Sequence, residues 1–349
     1  MMRFIDSDDA LVADLLASTL ELIAEVGGWV APGTRLISRE GQLSVSSQTE
    51  TGSPLFHIPR ESFVRVDEVT WDASHERLEI LSAPDHFGDI EMEMLYLQVA
   101  LHNHTQKLPW LTTSHPWLAT GLPQPVINAV RQVLPTFRKT DMSAKDTLWA
   151  NRCFKISLDS NSPVQRLLIP LVDLLNHHSQ GATGSWMGSA FDVPASKPFG
   201  TDECFLNYGM DRDALEMAAV YGFADSSSTI ANSAPLTIEV PNIGLLRVLS
   251  DGRDSTGMNL RQNIVSTPGQ ITLSHWTFTQ EDSGNAYQLL TENSRLSKSE
   301  AIDVIDMLRE SNIQLLQEII NSCELQEQDE SLRILSDAAR MNLLVLAQS

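Results

Sequence analysis

Leu167-Leu168-Ile169-Pro170-Leu171-Val172-Asp173-Leu174-Leu175-Asn176-His177-His178 is the stretch on which the reading of this chain turns. An apolar run ends abruptly in an amide and two imidazoles. Such runs normally finish in loop residues, and Asn176-His177 alone would read as a satisfied turn pair, since both side chains readily hydrogen-bond local backbone. Further along comes Glu203-Cys204-Phe205-Leu206-Asn207-Tyr208-Gly209, and after one helical pattern Tyr221-Gly222-Phe223, so two tyrosines each precede a glycine.

Outward from these segments the texture alternates. Ser7, Asp8 and Asp9 precede the helical pattern Leu11, Leu15, Leu16, Leu20, Ile23 and Val26, which stops at Gly27-Gly28. Residues 34–66 hold short apolar or β-branched runs between Gly41, Gly52, Pro54 and Pro59, read as several short strands. From about Asp89 to Lys155 the pattern is helical again. Met92, Leu95, Tyr96, Val99 and Ala100 are expected on one face, followed by helices at Pro123–Phe137 and Asp146–Phe154. Strands return at Leu167–Ile169 and Glu203–Leu206, then a helix at Asp211–Tyr221 stopped by Gly222. Ser226-Ser227-Ser228 reads as a linker. Beyond it, strand-like Leu236–Val240 and Gln270–Leu273 precede helical patterns at about Ser297–Cys323 and Asp329–Ala347.

The composition sets outer bounds. A chain of 349 residues, 42% of them hydrophobic, buries a sizeable core, and at roughly 100–200 residues per domain it implies two or three domains. Twenty-four Lys plus Arg against 45 Asp plus Glu leave a net charge of −21, and no basic run offsets it. A nucleic-acid duplex or an anionic membrane would repel such a surface, whereas a basic protein or amine substrate would be steered toward it. Cys153, Cys204 and Cys323 form no CxxC pair, which fits a reducing compartment and excludes cysteine-rich zinc sites. The acidic N-terminal sequence lacks the features of a secretory signal and no run is long and apolar enough to span a bilayer, so a cytoplasmic protein is expected.

Taken in order, the motifs resemble the SET-domain methyltransferases, in the branch containing the Rubisco large-subunit lysine methyltransferase and the actin histidine methyltransferase. The branch reads approximately Ser-Arg-aromatic, Leu-x-Pro-x-x-Asp-x-x-Asn-His, Glu-x-Phe-x-x-Tyr-Gly and a helix ending Tyr-Gly-Phe. This chain supplies Asn151-Arg152-Cys153-Phe154, Ile169 to His177, Glu203 to Gly209 and Tyr221-Gly222-Phe223. The resemblance implies an α+β, SET-type fold of short β-strands with a pseudoknot and a helical insertion, followed by a mostly α-helical C-terminal domain. Its expected divisions are an N-terminal helix at 1–30, a SET-like domain at 31–225 with the insertion at about 67–150, and a substrate-binding-like domain at 226–349.

The same resemblance implies S-adenosylmethionine as cofactor and in-line transfer of its methyl group to a lysine or histidine nitrogen of a protein substrate, which the charge suggests is basic. Arg152 would hold the cofactor carboxylate, because a guanidinium donates two parallel hydrogen bonds. Asn176 and His177 would grip the cofactor within the pseudoknot, and Leu55 and Phe56 would touch its adenosine part through backbone groups. Tyr208 and Tyr221 would line the methyl-transfer channel as catalytic residues, with Tyr208 also beside the cofactor, and Phe223 would add an aromatic wall. No metal is implied. A lysine must lose its proton before it can attack, which an apolar channel favours; a histidine, with an ordinary pKa of about 6.5, needs less help.

Departures from the pattern lie upstream. Glu40-Gly41-Gln42-Leu43 lacks the family's aromatic residue and second glycine, Gly52-Ser53-Pro54-Leu55-Phe56 lacks its acidic residue, and Ser179 to Gly184 replaces Ser-x-x-Pro-Asn. Two other functions therefore remain open: a catalytically degenerate SET-like interaction module, and a SET-type enzyme that uses S-adenosylmethionine on a small molecule. His102-Asn103-His104 has no carboxylate partner at defined spacing and reads as a solvated helix end. Glu324, Glu327, Asp329, Glu330 and Asp337 read as a solvated acidic flank.

Overall fold

The computed structural model describes residues 4–72, 77–105, 122–135, 137, 143–159, 162–209, 211–249, 264–280, 283–294, 296–326 and 330–349. These group into two compact units, one containing 4–105 and 143–208, the other 122–137 and 209–349. Helices and short strands mix throughout the first, and long helices close the second, so the chain is α+β with a helical C-terminal region.

In the first unit, α1 (Ala10–Glu25) starts where the sequence places it. Asp9 caps it, its carboxylate accepting from the N–H groups of Leu11 and Val12 at 2.8 and 3.1 Å. His104, at the end of α2 (Asp89–His104), reaches the other Asp9 oxygen at 2.8 Å, and this bond together with the backbone donors holds the Asp9 carboxyl below its ordinary range. The buried face of α2 is Glu91, Met94, Leu95, Gln98, Leu101 and His102, so the expected face through Met92, Tyr96 and Val99 is displaced, and Tyr96 is exposed. Polar residues turn inward because each has something to meet: Glu91 pairs with Arg65, and Gln98 donates to Thr19 of α1.

The strands of this unit are short. β1 (Ile5–Ser7), β3 (Arg35–Arg39) and β4 (Gln42–Ser46) form one sheet in the order β1-β3-β4. Its hairpin turns at Glu40 and Gly41, both at positive φ, the two-residue geometry that matches strand twist. β2 (Trp29–Val30), β5 (Pro54–Pro59), β12 (Ser185–Trp186) and β13 (Ala190–Pro194) form a second sheet, β12-β13-β5-β2. β6 (Val64–Arg65), β9 (Cys153–Ile156) and β10 (Gln165–Leu168) form a third, while β7 (Thr70–Trp71) pairs with β8 (Ile80–Ser82) and β11 (Asn176–Ala182) with β14 (Phe205–Leu206). α4 spans Ala144–Asn151; Cys153 and Phe154, expected within a helix, open β9 instead.

The second unit packs α3 (Gln124–Val133) on α7 (Lys298–Glu324), with α5 (Ala214–Tyr221), α6 (Ser283–Asn293) and α8 (Glu330–Gln348) around them. Gly222 ends α5 at φ 75°, a left-handed position that favours glycine. β15 (Ile230–Asn232) pairs with β20 (Thr277–Thr279), and β16 (Leu236–Val240), β17 (Gly244–Val248), β18 (Ile264–Thr267) and β19 (Gln270–Leu273) form a sheet in the order β16-β17-β19-β18. Two buried asparagines tie the helices to other segments. Asn312 of α7 accepts from the Ala234 N–H and donates to Ser233 Oγ, and Asn342 of α8 accepts from the Ala214 N–H. The Ser226–Ser228 run is a turn inside this unit: Asp225 accepts from the Ser227 N–H and hydroxyl, and Ser228 is buried.

α7 begins in a capping box, with Ser297 Oγ accepting from the Glu300 N–H and the Glu300 carboxylate accepting in return from the Ser297 N–H at 2.7 Å. Ser297→Ala is expected to lower stability by about 1 kcal/mol at neutral pH, read as an earlier midpoint in urea unfolding followed by circular dichroism. Ser297 donors hold the Glu300 carboxyl below its ordinary value of 4.5, so its contribution is complete above that pH and disappears as pH falls through the lowered folded value. The gap between wild type and variant should narrow correspondingly in acid.

Candidate active site

The run from Leu171 to His177 organises the site. Leu171 sits at φ 66°, ψ −33°, a costly conformation for a side chain with a Cβ, and turns the chain into the short 3-10 helix Val172–Leu174. Leu171, Val172, Leu174 and Leu175 are all buried, which anchors the segment and leaves its carbonyls and the side chains of Asn176 and His177 to do chemistry. Beyond it β11 runs parallel to β14, with Asn176 opposite Phe205 and His177 opposite Leu206. This strand was not legible as one, because Asn-His-His-Ser-Gln-Gly-Ala carries no apolar alternation.

Four of the expected site residues lie on or against this segment. The Tyr208 hydroxyl donates to the Leu175 carbonyl at 2.5 Å, and its N–H donates to His177 Nδ1 at 3.1 Å. Arg152, the C-cap of α4, places Nη1 3.2 Å from the Asp173 carbonyl and 3.5 Å from the Tyr208 hydroxyl. Asn176 Nδ2 donates to Glu203 at 2.7 Å and approaches the Leu43 carbonyl at 3.4 Å, joining the motif to β4. α4 is itself held by Trp149, whose ring lies under Lys145 and Arg166, each 4.8 Å from its centroid. Arg152, Asn176, His177 and Tyr208 are all half-buried, so the cluster is sheltered yet reachable.

Nearby thiols are shifted toward their protonated form. Burial, then the Asp173 charge, pushes the Cys153 thiol well up, and burial followed by the Glu203 charge pushes Cys204 up to about 11. Both shifts disfavour the thiolate at neutral pH.

Other expected residues lie elsewhere. Leu55 and Phe56 are fully buried on β5, where the Leu55 carbonyl accepts from the Ala31 N–H and Phe56 sits between Val30 and Val193, so their side chains belong to the core. Tyr221 and Phe223 belong to the second unit, with ring centroids 6.3 Å apart and the Arg212 guanidinium 5.2 Å from the Tyr221 centroid. Glu40-Gly41 is a hairpin tip. A groove of about 350 Å³ lined by Arg60, Phe63, Arg65, Glu91, Leu158 and Gln165 shares none of the converging residues, and its cations face Asp159 and Glu91. Among the described residues no cluster of His, Cys, Asp or Glu is arranged to hold a metal ion, and no helix is long and apolar enough to cross a membrane.

One residue escaped the sequence reading. His102, expected at a solvated helix end, is fully buried with Nε2 3.0 Å from the Asp173 carboxylate, itself fully buried. The spacing is that of an ion pair, yet none of the four ring and carboxylate atoms makes a well-directed hydrogen bond. Its neighbours behave differently: Asn103 bonds both backbone groups of Leu78, and His104 is the exposed partner of Asp9.

No protein-family profile and no curated protein sequence matches the chain. Among solved structures it is similar to the SET domain of LSMT, crystallised bound to lysine and AdoHcy; the match covers 96% of this chain and 90% of that chain, at a TM-score of 0.43 and 12% sequence identity.

Gly181 of β11 lies close against the backbone of Leu206 and Asn207. A Cβ there would meet the Leu206 carbonyl carbon at 2.8 Å, the His178 oxygen at 2.9 Å and the Asn207 nitrogen at 3.0 Å, all backbone atoms that have no rotamer to escape into. Gly181→Ala is expected to destabilise the protein by about 1–3 kcal/mol, measured as a lower urea midpoint.

Proposed function

We propose that the chain is a SET-type, S-adenosylmethionine-dependent N-methyltransferase that acts on a lysine or histidine of a protein, in the branch its motifs resemble. The observation that carries the reading is that residues of three separate motifs are tied to the segment 173–177: Arg152 to the Asp173 carbonyl and Tyr208 to the Leu175 carbonyl and to His177, with Asn176 next along the chain bonded to Glu203. The donor set suits the cofactor: a guanidinium for a carboxylate, with an amide and an imidazole beside it. Arg152, Asn176 and His177 would hold it, and Tyr221 is proposed to line the transfer channel. When bound, the cofactor supplies an electrophilic methyl group on sulfur.

The remaining work falls to the protein. Tyr208 commits its proton to the Leu175 carbonyl, so its oxygen is left as an acceptor that can orient an N–H of a neutral amine or imidazole toward the methyl group. An apolar surround at the acceptor would disfavour a charged amine, which assists loss of its proton to water before transfer. A net charge of −21 favours encounter with a basic protein. Three free cysteines accord with a reducing, cytoplasmic setting.

A second reading is a SET-like interaction module without turnover. It is favoured by the hairpin position of Glu40-Gly41 and by the use of the Leu55 carbonyl within the fold, both where the resemblance implies cofactor contacts.

Isothermal titration with S-adenosylhomocysteine separates the two, since heat of binding is expected for the enzyme and none from a folded degenerate domain. Arg152→Ala should weaken that binding about tenfold to hundredfold, the worth of a charged hydrogen bond. Tyr208→Phe should instead lower transfer of radiolabelled methyl to Lys- and His-containing peptides while changing affinity little. Equal effects of both substitutions on affinity would refute the assigned roles.

A further inference from the structure

His102 belongs to no motif of the sequence, yet it touches the polar side chain most deeply buried beside the site. Asp173 lies within a run whose other side chains, Leu171, Val172, Leu174 and Leu175, are apolar and buried. A carboxylate is expensive in such surroundings, and apolar residues of similar volume commonly replace buried ion pairs without loss of stability. Stability alone thus gives little reason for the pair. Geometry gives a better one, because Asp173 uses both its ends: its carboxylate meets His102 of α2 at 3.0 Å, and its carbonyl accepts from Arg152 at 3.2 Å. Two residues on, the Leu175 carbonyl receives the Tyr208 hydroxyl. The turn is entered through Leu171, whose strained conformation persists only where surrounding structure over-determines it.

We propose that His102 is a positioning residue for the methyl-transfer centre: through Asp173 it fixes the turn Val172–Leu174, and so aims the Asp173 carbonyl at Arg152 and the Leu175 carbonyl at Tyr208. The catalytic meaning of this rests on the methyltransferase reading, whereas the mechanical claim does not. His102 itself touches neither Arg152 nor Tyr208 in any described contact, so its influence passes through the main chain of residues 173–175.

The test uses the full-length protein labelled with carbon-13 at tyrosine Cζ, whose resonance reports the hydrogen bond of the phenol. There are four tyrosines, and Tyr208→Phe assigns the signal of interest. His102→Met removes the polar contact at similar volume, and His102→Gln keeps a donor. The double variant His102→Met, Asp173→Leu removes the pair without stranding a charge. The expected result is that the Tyr208 signal shifts in His102→Met and in the double variant, returns largely to its wild-type position in His102→Gln, and that S-adenosylhomocysteine affinity falls about tenfold where the signal shifts. A wild-type Tyr208 signal in either folded variant lacking the contact overturns the proposal, as does failure of both to fold, which would assign the pair to stability. Wild-type protein that binds no S-adenosylhomocysteine refutes the methyltransferase reading, and the Tyr208 signal still decides the role of His102.

Discussion

Two main-chain carbonyls, those of Asp173 and Leu175, are the constraint on which the site depends. They face outward from a short 3-10 helix whose side chains are sunk in the core, so their direction is set by packing rather than by any ligand. Arg152 and Tyr208 arrive from distant parts of the chain and use them as fixed points. A phenol and a guanidinium so held have little orientational freedom left to lose, which is how a rigid scaffold lowers the entropy cost of alignment.

Polar residues facing inward recur in both units, each with a distinct task. Glu91 meets Arg65 and fastens α2 to β6, while Gln98 meets Thr19 and fastens it to α1. In the second unit Asn312 and Asn342 satisfy backbone N–H groups of segments that pack on α7 and α8. A buried amide that completes a hydrogen bond fixes register between elements, something apolar contacts alone leave loose.

These inward polar groups explain where the sequence was readable. Helices with an apolar stripe and a cap, such as those opening at Asp9 and Ser297 or closing at Gly222, follow from local chemistry, and the structure has them within a few residues. On α2 the stripe misleads, because Glu91, Gln98 and His102 count as solvent-facing in any periodicity and yet point inward; the assumed face rotates and His102 vanishes from view. Strand β11 is invisible for another reason: its residues pair because β14 lies alongside, not because they favour extension. At the site, the meeting of Arg152, Asn176 and Tyr208 followed from motif order. The core burial of the Leu55 and Phe56 side chains was not legible, since it depends on strands on either side of β5.

The bond between Asn176 and the Leu43 carbonyl spans 133 residues of sequence, and that from Arg152 to Tyr208 spans 56. Contacts so remote close large loops and form only after nearer ones have reduced the entropy of the intervening chain. Capped helices can be complete while this knot of distant partners is still open. The convergence of Arg152, Asn176 and Tyr208 is therefore a late product of folding, and a chain with all its helices need not yet have brought them together.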